Sequence, residues 1–129
     1  MKFETKSLPE VADITAPDGS NVRILLSLQG GSMAHFELAA ERTSRAVAHK
    51  SVEEIWHFLG GEGEMWRKLD GYEEIVDVYQ GICITIPAGT YFQFRSLGKD
   101  SLKAIAITTP PWPGENEAYF VNGKWKSMI

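Results

Sequence analysis

Cysteine is almost missing. Cys83 is the single one in 129 residues, so no disulfide can form within the chain and a thiolate-rich metal site is excluded. It sits in GICITIP, a β-branched apolar run with nothing basic beside it, and is expected to be a buried small residue rather than a reactive thiol. No cluster of lysine or arginine occurs, and a formal net charge of -4 with a pI near 5.4 argues against nucleic acid as a partner. No apolar run approaches the roughly 18 to 20 residues that cross a bilayer. The start, MKFETKSLPEV, also lacks the charged head and apolar core of a signal peptide. A cytoplasmic setting with no membrane partner is therefore expected. Helical periodicity is absent over any stretch of about ten residues, and the one hint of a helix is a turn near Ser51 to Glu53.

What is present alternates. With 43% hydrophobic and 23% charged residues the chain has the composition of a globular protein, and its length suits one domain over residues 1–129. VRILLSL and MAHFELA flank the glycine loop Gln29 to Ser32 and should pair antiparallel. RAVAH, EIWHFLG and EMWRKL follow, with Gly60, Gly61 and Gly63 at the bend, and Asp70-Gly71 turns the chain into YEEIVDVY. GICITIP ends at Pro87-Ala88-Gly89; YFQFRSL and LKAIAIT should pair across Gly98 to Asp100, and AYFV and KWKSM across Asn122-Gly123. About nine to eleven strands make an all-β chain, which must close into a barrel or stack two sheets to protect its edges.

Two spacings stand out. His49, four residues, Glu54, six residues and Gly61 form the first; Gly81, five residues and Pro87-Ala88-Gly89 form the second, nineteen residues later. These segments, about 45–61 and 81–96, resemble the paired motifs of the cupin superfamily. That resemblance implies a cupin double-stranded β-helix, a jelly-roll barrel. PPWPGENEAYF resembles the tail of bacterial cupins of the mannose-6-phosphate isomerase-like kind.

The family's usual ligand set of three histidines and one glutamate is reduced here. Val47 holds the first histidine's place, Phe92 the third's, Glu41 that of the first glycine and Ser96 that of the final asparagine. His49 and Glu54 remain, and they are the metal ligands only if a metal is bound. A protein site normally supplies at least three ligands, so a metal-free polar pair is expected, with a divalent transition metal as the alternative. Glu54 then needs a partner inside the barrel, either Arg45 or His49.

Strand parity puts Val47, Trp56, Phe58, Phe92 and Phe94 on the face of His49 and Glu54, as a ligand-lined interior or a filled core. His57 and Tyr91 fall on the opposite parity, and His35 should face outward or into a subunit contact. Trp112, held among prolines, should cover the barrel mouth or pack across a dimer.

Three functions fit these residues. In the first, a metal-free barrel binds a small polar ligand, sugar-like or a carboxylate, on His49, Glu54 and Arg45 among aromatic side chains. The second is a cupin-type sugar isomerase or epimerase, with His49 as base, Glu54 orienting it and Tyr91 as a distant acid. The third is a filled, non-catalytic interaction barrel. Exposed-looking apolar residues near the ends suggest a homodimer.

Overall fold

The computed structural model describes residues 2–129. Among them lie β1 (Ile14–Thr15), β2 (Asn21–Ser27), β3 (Ser32–Leu38), β4 (Val47–His49), β5 (Glu53–Gly60) and β6 (Glu62–Leu69). They are followed by β7 (Tyr72–Tyr79), β8 (Cys83–Ile86), β9 (Tyr91–Ser96), β10 (Leu102–Thr109) and β11 (Ala118–Phe120). One sheet runs β1-β2-β3-β10-β5-β8 and the other β11-β4-β9-β6-β7, antiparallel at each neighbouring pair with a register. No helix among the described residues is long and apolar enough to cross a membrane.

Alternation builds the core. Along β5 burial switches residue by residue: Glu54, Trp56 and Phe58 point in while Glu53, Ile55 and His57 point out. On β10, Leu102, Ala104, Ala106 and Thr108 do the same. These inner faces meet Val47, Met65, Phe92 and Phe94 of the other sheet in an apolar core.

The β2–β3 and β6–β7 hairpins form as expected, the latter through Asp70 and Gly71 at φ 51 and 81. Two other expected hairpins do not form. β9 pairs with β4 and β6, and β10 with β3 and β5, so the Gly98 to Asp100 loop crosses between sheets instead of closing a hairpin. Nor does KWKSM return along AYFV: β11 pairs with β4. The buried Gln93 side chain accepts from the backbone N–H of Lys124 and Trp125 and donates to Trp125 O, taking up bonds a strand partner would have used. The turn at Ser51 is a bend, not a helix. Its N–H donates to the Glu117 carboxylate at 2.7 Å, as does that of Val52 at 3.1 Å.

The crossing explains the glycine bend. Gly61 has φ 80, and a Cβ on it would strike Ser101 O; one on Gly63 would strike Arg95 O. A Cβ on Gly60 meets nothing within 4 Å. Gly61→Ala and Gly63→Ala should each lose about 2 kcal/mol or more in denaturant melts, and Gly60→Ala should lose under about 1 kcal/mol. Equal losses at all three positions would contradict this reading of the bend.

Candidate functional site

A cavity of about 280 Å³ lies between the sheets. Its walls come from β2, β3, β4, β5, β9 and the end of β10, and it is closed by the segment 14–18 and by Trp112. Trp56 forms an aromatic wall, stacked on Phe36 at 5.0 Å and edge-on to Phe92 at 6.0 Å.

Glu54 is 4% exposed and both its oxygens are engaged. Oε1 accepts from Trp56 Nε1 at 2.9 Å, two residues along the same face of β5, and Oε2 accepts from Thr108 Oγ1 at 2.5 Å. Thr108 stands directly opposite Glu54 in the β5–β10 register. His49 is 5% exposed, with Nδ1 3.8 Å from Glu54 Oε1, beyond hydrogen-bond range and without another partner. Its ring meets the edges of Phe92 at 5.2 Å and Trp112 at 5.1 Å. The two sequence motifs converge here, because Gly89 N donates to His49 O at 2.9 Å.

Asp18 completes the ionisable set. Turn-forming APDGSN gives no hint that Asp18 is buried, yet it is, with Oδ1 accepting from Ser20 N at 2.8 Å and Ser20 Oγ at 2.6 Å. Burial pushes its carboxyl above the usual aspartate range; the Ser20 bonds oppose this, Glu54 adds to it and His49 opposes it. Glu117 lies beside the site. There burial pushes upward, but the bonds from Ser51 and Val52 outweigh it and hold Glu117 below the usual range.

Val47, His49, Glu54, Trp56 and Phe92 all line the cavity. Phe58 and Phe94 share their face but belong to the core beyond Trp56, at 6.0 and 5.2 Å from its ring. Arg45 does not partner Glu54. β4 starts only at Val47, so strand parity does not reach back to residue 45, and the side chain is exposed while its backbone N–H binds Asp18 O. Tyr91 is turned outward beside Tyr119 and Phe120, remote from any acid role facing His49. Sequence reasoning missed Thr108, Phe36 and Asp18; the parity of LKAIAIT carries the first, but only once β10 is placed beside β5.

Two further expectations are corrected outside the cavity. Cys83 is exposed, because Ile84 and Ile86 take the inward positions of β8; its Sγ lies 3.1 Å from Nδ1 of its cross-strand neighbour His57. His35 does sit on the outward parity, yet it is buried with Nδ1 unpartnered, flanked by the Arg23–Glu37 ion pair at 2.9 Å. Burial lowers its pKa, and Arg23 adds to that.

A divalent metal, implied by the cupin resemblance, does not fit these donors. Val47 and Phe92 present hydrocarbon at 1% exposure each, and both Glu54 oxygens already accept hydrogen bonds. No group of three His, Cys, Asp or Glu side chains suited to a metal converges among the described residues.

No protein-family model and no curated protein matches the sequence. Solved structures do match in shape. A conserved Klebsiella pneumoniae protein with a double-stranded β-helix domain superposes with TM-score 0.72 at 11% identity, covering 95% of this chain and 100% of that one. A recombinant oxalate oxidase in complex with glycolate gives TM-score 0.74 at 20% identity, over 91% of this chain and 62% of that one. The coconut allergen cocosin gives 0.70 at 19% identity, over 81% of this chain and 30% of that one. The protein thus has the cupin double-stranded β-helix fold, and it spans under a third of the length of cocosin.

Asp18 makes stability pH-dependent. A carboxyl whose pKa is raised by folding favours the folded state below its unfolded pKa, and that contribution is lost as pH rises through the folded value. Asp18→Asn keeps an acceptor for Ser20 and never ionises, so it should raise Tm relative to the parent near neutral pH, with the gain shrinking in acid. Thermal melts across that range check it, and a gain that grows toward acid pH would contradict it.

Proposed function

We propose that this barrel is a metal-free binding module for a small molecule that joins a polar group to an apolar body. The carrying observation is His49: its buried ring, with Nδ1 unbonded, stands on the wall of a mainly aromatic and aliphatic cavity. A buried polar group without a partner is costly unless a ligand or water completes it. Glu54, anchored at both oxygens, keeps that wall polar without needing a metal.

The neighbour that holds glycolate suggests a carboxylate ligand. Here that option has lost its anchor, because Arg45 is exposed and no lysine or arginine lines the cavity. A barrel with a filled interior, serving only as an interaction surface, is disfavoured by a cavity of about 280 Å³. Pairing with a second copy is part of the proposal. Met33, Ile107 and Ile55 form one exposed apolar row across β3, β10 and β5, a surface of the kind homodimers bury.

Thermal-shift screening of small apolar amines, alcohols and acids should yield at least one stabilising compound, with a gain near 2.7 kcal/mol when it reaches about 100 times its Kd. His49→Ala should weaken that compound at least tenfold. A screen with no stabilising compound, or His49→Ala binding unchanged, would contradict the reading. Elemental analysis after dialysis should find well below one equivalent of Zn, Fe, Mn or Ni, and about one equivalent would contradict the metal-free site. Light scattering should give twice 14.4 kDa; a single-chain mass at micromolar concentration would contradict the pairing.

A further inference from the structure

The charge inside the cavity is one-sided. Its ionisable walls are Asp18, Glu54 and His49, with no lysine or arginine among the lining residues. Both carboxyls are 4% exposed. Hydrogen bonds from Ser20, Trp56 and Thr108 satisfy individual lone pairs and spread the charge, yet they supply no whole positive charge to set against it. Arg45 and Lys50, the basic residues on either side of β4, are exposed. Buried carboxylates are normally paired with a cation, and removing one partner leaves the other strongly disfavoured. Here the lining offers two carboxyls at most one such partner, His49, whose Nδ1 lies 3.8 Å from Glu54 Oε1.

The remaining walls suit a cation as well. Phe36, Trp56, Phe92 and Trp112 surround the space. Aromatic faces attract an ammonium through the ring quadrupole, more so when water is excluded. His49, buried and without a hydrogen bond at Nδ1, stands between the aromatic walls and the Glu54 carboxylate and supplies a further polar contact. The size is also limiting: an apolar cavity of about 150 Å³ holds benzene, so about 280 Å³ holds one ring with a short arm.

We propose that the ligand is a small protonated amine on an apolar body, its ammonium set between the Asp18 and Glu54 carboxylates and its body against Trp56, Phe92 and Trp112. This assigns a ligand class to the binding site proposed above and rests on that reading. The ammonium replaces the positive charge that a metal contributes in a fully liganded barrel, and no bond is made or broken.

Benzylammonium, benzyl alcohol and benzoate share one ring and differ in charge. Each is titrated into the protein at neutral pH, followed by calorimetry and by the fluorescence of the cavity tryptophans. Benzylammonium should bind at least about tenfold tighter than benzyl alcohol, with benzoate weakest. Asp18→Asn and Glu54→Gln should each shrink the ammonium-over-alcohol ratio severalfold; should either fail to fold, the charge series on the parent protein decides alone. Benzyl alcohol or benzoate binding as tightly as the ammonium, or a ratio unchanged in both variants, would overturn the amine assignment and leave the cavity reading standing. No binding by any of the three, with no thermal shift, would overturn both.

Discussion

The carboxylate of Glu54 is the constraint on which the site depends. Its residue lies on the inward parity of β5, so the chain places a charge in an interior otherwise closed by Val47, Trp56 and Phe92. Such a charge persists only if its oxygens are bonded. Trp56 reaches it from two residues along the same strand, and Thr108 from the directly opposed position on β10. That pair of donors fixes the Trp56 ring, and with it the wall against which Phe36 and Phe92 pack. It also accounts for a threonine ending the inner row of β10, where Leu102, Ala104 and Ala106 are apolar.

The same arrangement explains how the barrel holds a polar centre without a full set of metal donors. Val47 and Phe92 present hydrocarbon to the same space, and a metal has too few donors there. The glutamate is then held by neutral donors, and the histidine beside it is left without a bond at Nδ1. Asp18 is brought to the same space by its turn and by the backbone bond from Arg45 N to Asp18 O. The outcome is a cavity with Asp18, Glu54 and His49 set among walls that are otherwise mainly aliphatic and aromatic.

Spacing in the sequence carried the fold well, for a physical reason. His49, Glu54 and Gly61 are separated by intervals that strand alternation and a forced backbone crossing require, and Gly61 and Gly63 sit where any side chain would meet the backbone of the crossing segment. Parity along each strand identified Val47, Trp56 and Phe92 as wall residues and His57 as external. Long-range pairing was not legible, because Gly98 to Asp100 has the composition of a hairpin loop while its flanking strands belong to different sheets. Thr108 was hidden for that reason. Asp18 was hidden because an aspartate in a Pro-Asp-Gly turn is ordinarily solvated, and its burial arises from contacts distant in sequence. Arg45 and Cys83 misled in the opposite way: proximity to a motif or an apolar run does not fix orientation once a strand begins late or one of its faces is exposed.

The polar centre stands on the coupling between Glu54 and Thr108 across β5 and β10. A double-mutant cycle with Glu54→Gln, Thr108→Val and the combined variant, read by denaturant unfolding, measures it directly. A buried charge-assisted bond of this kind should give an interaction energy of about 1 kcal/mol or more. Additivity within about 0.3 kcal/mol would show that the carboxylate is held some other way and would contradict the account.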